Sequence, residues 1–163
     1  MDWVRVLPGE TVLILGGGPI GLYFIMLMKA NGAGKIIVSE PSEYRAKYAM
    51  DCGADIIIDP TKQNLAEEIT KITGGRGVDI SVDAVGVLIN DAIVNTCKGG
   101  RIVLMGQNGA ANETICQNDI VSKGLSIFGN YIGNYIMSRT VKTLEAGIIP
   151  VEKIITHKLP MSK

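Results

Sequence analysis

The sequence has few of the residues that build metal sites and disulfide frameworks. It contains three cysteines and one histidine among 163 residues. Cys52, Cys97 and Cys116 are far apart and odd in number, and His157 stands alone, so no metal-ligand spacing is present. We therefore expect no metal site in this chain, and reduced cysteines in a cytoplasmic protein.

Neither sign of charge is in excess. Sixteen basic residues balance sixteen acidic ones, and the lysines and arginines are scattered. Such a chain has no general attraction for nucleic acid or for an anionic membrane. Its first residues also lack the basic and apolar regions of a signal peptide. We expect no nucleic-acid partner and no membrane partner.

One long uncharged run needs a separate explanation. Residues 11–28 are 18 consecutive uncharged residues, close to the lower limit of roughly 18 to 20 for a membrane helix. The segment 16–19, Gly-Gly-Gly-Pro, lies at its centre and opposes one continuous helix, since a glycine costs about 1 kcal/mol and a proline about 3 kcal/mol. We favour a buried strand followed by a helix.

The glycines of this run have a recognisable spacing. Gly16, Gly18 and Gly21 fit G-x-G-x-x-G, directly after the apolar stretch 11–15 and at the start of a helical pattern. The first glycine of this motif permits a tight turn, the second lets a pyrophosphate approach the backbone, and the third lets the helix pack on the sheet. Pro19 suits the first helical position. The motif predicts a diphosphate facing the N–H groups and the dipole of that helix.

An acidic residue follows at the distance that a dinucleotide site requires. Residues 35–39 are typical of a second strand, and Glu40 ends it, 19 residues beyond Gly21. A carboxylate there can accept both ribose hydroxyls of an adenosine and would repel a 2′-phosphate, which favours NAD. The alternative is a solvated acid at the start of a loop. Arg45 follows on the next predicted helix and either braces the adenosine or forms a surface ion pair.

Strand and helix patterns alternate along the chain, and the apolar strands are short and nearly unbroken. This pattern is typical of a parallel sheet covered on both faces. We predict a single domain over residues 1–163, an α/β Rossmann fold with six strands in the order 3-2-1-4-5-6. The predicted strands are 11–15, 35–39, 55–58, 78–83, 101–105 and 125–130; the predicted helices are 19–31, 43–51, one opening after Asn64, 88–97 and 138–146; residues 107–123 are predicted to be a looser segment.

Residues 11–22 resemble the coenzyme domain of the zinc-dependent medium-chain dehydrogenases. The closest branch is that of the sorbitol, threonine and butanediol dehydrogenases. Essentially the whole chain shares the resemblance. The further matching motifs are at 39–45, 53–55, 77–79, 83–86, 99–101 and 154–160.

The resemblance implies a set of cofactor contacts. The residues under the pyrophosphate would be Gly16, Gly18, Pro19, Ile20 and Gly21, and those at the adenosine ribose would be Glu40 and Arg45. The residues lining the crevice would be Val85 and Gly86, and those near the nicotinamide would be Met105, Gln107, Ser126 and Phe128. Ordinary packing at strand ends is the alternative for the last six.

The chain departs from the family pattern in one respect. Members carry a separate catalytic domain with cysteine, histidine and glutamate ligands of a catalytic zinc, and no such segment is present. We therefore expect the coenzyme domain of a larger NAD-dependent alcohol or polyol dehydrogenase, inactive by itself. In the whole protein, zinc would bind the substrate oxygen, and hydride would pass from a secondary alcohol to the nicotinamide.

The sixth predicted strand also suggests an assembly. It brings Leu125, Ile127 and Phe128 to what should be a sheet edge, and such edges tend to be paired or covered. The resemblance implies a homo-oligomer that forms through this edge.

Three other functions stay open. The first is the coenzyme domain of a zinc-free, NADPH-dependent quinone or enoyl reductase, which Glu40 disfavours. The second is a methyltransferase that binds S-adenosylmethionine, whose loop the segment 18–21 fits poorly. The third is a stand-alone NAD-sensing module, for which a missing catalytic domain would be natural.

Overall fold

The computed structural model describes residues 4–131 and 136–161, so Trp3 and the start of the predicted lead-in lie outside it. Strands and helices alternate along the chain, as the sequence predicts. The strands are β1 (Thr11–Leu15), β2 (Lys35–Ser39), β3 (Ile56–Ile58), β4 (Val78–Asp83), β5 (Thr96–Leu104) and β6 (Ser126–Gly129). The helices are α1 (Pro19–Ala30), α2 (Glu43–Asp51), α3 (Leu65–Ile72), α4 (Ile89–Asn95), α5 (Gln117–Lys123) and α6 (Met137–Glu145), with a final 3-10 turn at Val151–Ile154.

The six strands form one parallel sheet in the order β3-β2-β1-β4-β5-β6. This confirms the predicted Rossmann fold and its strand order. Leu15 at the end of β1 lies opposite Ser39 of β2 on one side and Asp83 of β4 on the other. The loops that leave these three strands therefore start at the same edge of the sheet.

Both faces of the sheet are covered, which explains the unbroken apolar strands. Val12 and Ile14 belong to a core that includes α1 and part of α2, while Leu13 and Leu15 belong to a second core with α3 and α4. The uncharged run 11–28 is thus a buried strand and the helix that packs on it. Among the described helices, none has the length and apolarity to cross a membrane.

Two segments differ from the sequence prediction. Part of the predicted looser segment is helix α5, which has no buried residue, so its sequence carries little of the apolar periodicity that reveals a helix. Strand β5 starts at Thr96 instead of residue 101. The Thr96 hydroxyl donates to the carbonyl of Ala92 (2.6 Å) and contacts the Ser81 hydroxyl (2.7 Å), which ends α4 early and ties the chain to β4.

A lysine of α5 closes the end of α4. The Lys123 ammonium donates to the carbonyl oxygens of Ile93 (2.7 Å), Val94 (2.8 Å) and Thr96 (3.0 Å). These carbonyls lie at the C-terminus of α4, where the helix dipole favours a cation. Burial lowers the pKa of Lys123, while the carboxylate of Asp119 raises it. One side chain thus replaces several hydrogen bonds that the helix cannot make by itself.

We predict that Lys123→Met destabilises the fold by about 1 to 3 kcal/mol, because the apolar stem is kept and the partly buried carbonyls lose their donor. Urea unfolding followed by circular dichroism measures the change. Lys98→Met is the matched control, since Lys98 is exposed at the same edge of the sheet. Equal midpoints for Lys123→Met and the unchanged protein would contradict this role.

Candidate cofactor site

The turn between β1 and α1 is shaped by two glycines that the fold itself requires. Gly16 has a φ of +100°, which favours glycine, and a Cβ there would lie 2.7 Å from a methyl carbon of Val85. A Cβ on Gly21 would lie 1.9 Å from the carbonyl oxygen of Gly16. The first turn of α1 therefore rests directly on the backbone that leaves β1.

Gly18, between these two, has no such reason to be glycine. Its φ is −72°, and a Cβ built there has no neighbour within 4 Å. Gly18 is the N-cap of α1, and Leu22 donates the first helical hydrogen bond to its carbonyl (2.9 Å). Among the described residues, no side chain caps this terminus. The N–H groups of Ile20 and Gly21 therefore lack an intrahelical acceptor beside an open surface.

Glu40 points at this turn, and the residue is 3% exposed. One oxygen accepts the N–H of Gly17 (2.7 Å), and the other accepts the N–H of Ser42 (2.9 Å). A solvated acid, the alternative raised by the sequence, does not describe this residue. The carboxylate joins the loop after β1 to the loop after β2, and each oxygen keeps a further lone pair for a ligand hydroxyl.

Three other predicted contacts border the same turn or the helix beside it. Pro19 and Ile20 are exposed in the first turn of α1, with Ile20 40% accessible. Arg45 is exposed in the first turn of α2, which Ser42 caps by accepting the N–H of Arg45 (3.4 Å). Within the described ranges, Arg45 forms no ion pair. The surface ion pair that the sequence left open is therefore not seen.

The other side of the turn is formed by the loop after β4. Val85 is 43% exposed and covers Gly16, while Gly86 has a φ of +93°. A Cβ on Gly86 would lie 2.6 Å from the carbonyl carbon of Gly106, just beyond β5. The half-buried Met105 precedes that contact. The structure thus brings Val85, Gly86 and Met105 to the crevice edge that the sequence predicts.

The remaining three predicted contacts lie at different places relative to the crevice. Gln107 is exposed in the loop after β5, on the crevice side of the sheet. Phe128 is half-buried and packs on the core beside α1. Ser126 lies at the amino end of β6, opposite Arg101. It is three residues before Gly129, about 10 Å from the carboxyl edge. Ser126 therefore lies away from the crevice end of β6, and its contact with the nicotinamide stays a prediction.

A cavity of about 270 Å³ adjoins the carboxyl ends of β1 and β2. It lies between α3 and α4, on the face of the sheet opposite α1. Sequence reasoning misses it because its walls come from four separate segments. The main lining residues are Leu15, Ser39, Pro60, Leu65, Leu88 and Asp91. Partial burial raises the pKa of Asp91, and the carboxylates of Asp83 and Glu113 raise it further.

Metal-binding side chains are dispersed in the described ranges, where no group of three or more His, Cys, Asp or Glu residues could hold an ion. Cys52 and Cys97 are buried, and Cys116 is exposed. What the described residues offer together is an open helix N-terminus, a buried carboxylate on one side and an apolar crevice wall on the other. This arrangement suits an elongated ligand with a diphosphate at its centre.

Solved structures of other proteins share this architecture. A zinc-binding dehydrogenase from Sinorhizobium meliloti 1021, bound to NADP, superposes with a TM-score of 0.88 at 27% identity, over 95% of this chain and 47% of that one. The alcohol dehydrogenase rspB from E. coli CFT073, complexed with NADH, superposes with a TM-score of 0.89 at 29% identity, over 99% of this chain and 48% of that one.

Proteins with similar sequences are also dehydrogenases. The L-threonine 3-dehydrogenase of Pyrococcus furiosus is 36% identical over 155 residues, which are 92% of this chain and 44% of the relative. The (R,R)-butanediol dehydrogenase of Neisseria gonorrhoeae is 32% identical over 157 residues, 95% of this chain and 44% of the relative. The chain therefore spans less than half the length of these relatives.

A family model described as zinc-binding dehydrogenase matches residues 19–146, most of the chain. The match includes α1, Glu40, the loop after β4 and β6. It confirms the resemblance seen in the sequence motifs. The chain belongs to the zinc-binding dehydrogenase family, as its coenzyme-binding part.

Proposed function

We propose that this chain is the NAD(H)-binding domain of a zinc-dependent alcohol or polyol dehydrogenase. In this proposal the diphosphate lies on the first turn of α1. The adenosine ribose lies at Glu40, and the nicotinamide half lies along the ends of β4 and β5. Relatives named as threonine, butanediol and threitol dehydrogenases support an alcohol as the substrate of the whole protein.

The single observation that carries the proposal is the open space at Gly18. Gly16 and Gly21 are glycines because the protein's own atoms leave no room for a Cβ. Gly18 has room, and its φ of −72° suits any residue. A ligand that lies close to this backbone would explain why residue 18 is glycine. The adjacent unpaired N–H groups favour an anionic ligand.

The choice of NAD over NADP is argued from Glu40. Its carboxylate is fixed by two backbone N–H groups and is already turned toward the loop that would hold the diphosphate. A ribose with two free hydroxyls can donate to such a carboxylate, whereas a 2′-phosphate would place like charges side by side. The two solved relatives were found with NADP and with NADH, so family membership alone does not decide the matter.

The cavity beside β1 and β2 is the proposed adenine site. It begins at Ser39, the residue before Glu40, and Pro60 and Leu65 provide apolar walls. Its volume of about 270 Å³ is sufficient for a purine with some water. A purine there would keep its ribose within reach of Glu40, which links the cavity to the diphosphate turn.

In the whole protein, the nicotinamide of a bound NAD would supply the acceptor for a hydride from a secondary alcohol. The described part of this chain has no group of three or more His, Cys, Asp or Glu side chains that could hold an ion, so the ligands of a catalytic zinc would come from other residues. The contribution of this domain is to bind the dinucleotide and to fix the depth and face of its nicotinamide ring. Alone, it is expected to bind cofactor without turnover.

We predict that Gly18→Ala lowers the affinity for NADH by about 100-fold, equivalent to about 2.7 kcal/mol, while the melting temperature stays unchanged. The new methyl group has free space in the protein and blocks only the ligand. Gly21→Ala should instead lower the melting temperature, because its Cβ would meet the Gly16 carbonyl. Isothermal titration with NADH and differential scanning calorimetry measure the two effects.

Gly129→Ala is the matched control for Gly18→Ala. A Cβ on Gly129 also has no neighbour within 4 Å, and β6 is three strands from β1, about 14 Å away. It should leave NADH affinity unchanged. If Gly18→Ala binds NADH as well as the unchanged protein, the open surface at Gly18 is not the diphosphate site.

We also predict that the unchanged protein binds NADH at least about tenfold more tightly than NADPH, a difference of about 1.4 kcal/mol. The preference should shrink at high salt, since part of it is charge repulsion between Glu40 and the 2′-phosphate. Parallel titrations with both cofactors at low and high salt provide the measurement. Equal or tighter binding of NADPH would favour the alternative hypothesis of a quinone or enoyl reductase domain.

The exposed edge of β6 supports the proposal of a homo-oligomer. Strand β6 is last in the sheet order, and Asn130 donates its N–H to Leu104 of β5 (3.0 Å). Because successive residues of a strand face opposite neighbours, the N–H of Gly129 points away from β5. Ile127 and Phe128 pack on the two faces of the sheet instead of lining the edge. The edge therefore offers backbone groups to a second copy.

We predict a dimer in solution, with twice the chain mass of 17.4 kDa by light scattering at high concentration. Gly129→Pro removes the outward N–H and should yield a monomer that still binds NADH. A mass of one chain for the unchanged protein at high concentration would rule out this assembly.

A further inference from the structure

The second buried carboxylate at the crevice edge is that of Asp83, the last residue of β4, which is 2% exposed. One oxygen accepts the N–H groups of Val85 (2.9 Å) and Gly86 (2.7 Å). The other accepts the N–H of Leu88 (3.0 Å). A single side chain thus satisfies three backbone donors of the loop that follows it, and this fixes the path of residues 84–88.

The backbone of Asp83 holds the next loop as well. Its carbonyl oxygen accepts the N–H groups of Met105 and Gly106, both at 2.9 Å. A Cβ on Gly106 would lie 2.2 Å from the nitrogen of Gly86, so the loops after β4 and β5 touch through their backbones. A shift of the first loop would therefore displace the second.

These two loops form the crevice wall on the side away from Glu40. The sheet order places β4 and β5 on one side of β1, and β2 with Glu40 on the other. Val85 covers Gly16 from this side. The position of the wall relative to the diphosphate turn is therefore determined by the hydrogen bonds of Asp83.

We propose that Asp83 is a positioning residue for the nicotinamide half of the dinucleotide. It acts through residues 84–88 and Met105, which it holds in their binding positions before the cofactor arrives. The inference depends on the proposed binding of NAD(H). Asp83 itself is not a contact of the cofactor, since its oxygens face the backbone donors of its own loop.

The test compares Asp83→Asn with Asp79→Asn. Asp79 lies on the same strand at its amino end, about 13 Å from Asp83, and is also buried. Its carboxylate accepts the N–H of Thr11 (2.9 Å), so the same substitution there also disturbs a backbone hydrogen bond. Both variants are expected to melt at lower temperatures. Only Asp83→Asn should weaken NADH binding, by about tenfold, because an amide nitrogen cannot accept the N–H of Leu88.

Adenosine diphosphate separates positioning from a general loss of structure. It contains the adenosine and diphosphate but no nicotinamide. Because Leu88 also lines the proposed adenine cavity, Asp83→Asn should weaken the binding of adenosine diphosphate by at most about threefold, clearly less than the loss expected for NADH. Equal losses of affinity for NADH and adenosine diphosphate, or equal losses of NADH affinity in the two variants, would overturn the proposal. If the unchanged protein binds no NADH, the proposed function fails instead.

Hydrogen exchange of the unchanged protein gives a test that needs no variant. The amide protons of Val85, Gly86 and Leu88 should exchange slowly in the free protein, because Asp83 already accepts them. Addition of NADH should change their rates little. Fast exchange in the free protein with protection only after NADH is added would show that the cofactor orders the loop, contrary to the proposal.

Discussion

The contact between Gly21 and the carbonyl oxygen of Gly16 sets the geometry on which the site depends. A Cβ at residue 21 would lie 1.9 Å from that oxygen, so only glycine lets α1 start directly above the end of β1. This close start aims the free N–H groups of the first turn across the carboxyl edge of the sheet. It also leaves Gly18 at the outer bend, where open space meets the backbone. The absence of a side chain at residue 21 thereby permits the close packing of the helix and leaves open the surface on which we propose that the diphosphate binds.

Two buried carboxylates hold the loops on either side of this turn. Glu40 accepts N–H groups of Gly17 and Ser42, and Asp83 accepts three from residues 85–88. A buried carboxylate without partners would be strongly unfavourable, so these bonds offset its desolvation. Glu40 follows β2, and Asp83 is the last residue of β4. At these points the chain leaves the sheet, and the backbone N–H groups of the loop no longer have partners in a neighbouring strand. On both sides of the crevice, a buried carboxylate that accepts backbone N–H groups therefore holds the loop in place.

The sequence predicts the first half of the fold closely because its signals are local. Strand β1, strand β2 and α2 have the predicted bounds, since the signals for these elements lie within short stretches of the chain. Helix α5 and the start of β5 were missed because neither depends on buried apolar periodicity. The hydrogen bond between Glu40 and Gly17 could not be predicted from the sequence either, since the two residues are 23 positions apart. The sequence also could not show that Ser126 lies opposite Arg101, because a strand's register against its neighbour is a property of the sheet.

In the proposed site, Glu40 would link the choice of cofactor to the shape of the site. From sequence alone its carboxylate has one role, to accept ribose hydroxyls and repel a 2′-phosphate. In the structure the same oxygens already accept the N–H groups of two loops. A substitution that removes the charge would also leave at least one of the Gly17 and Ser42 donors without an acceptor, at a cost of about 1 to 3 kcal/mol for each buried group. Accommodation of a 2′-phosphate in this fold would therefore require new acceptors for those donors as well as a new cation for the phosphate.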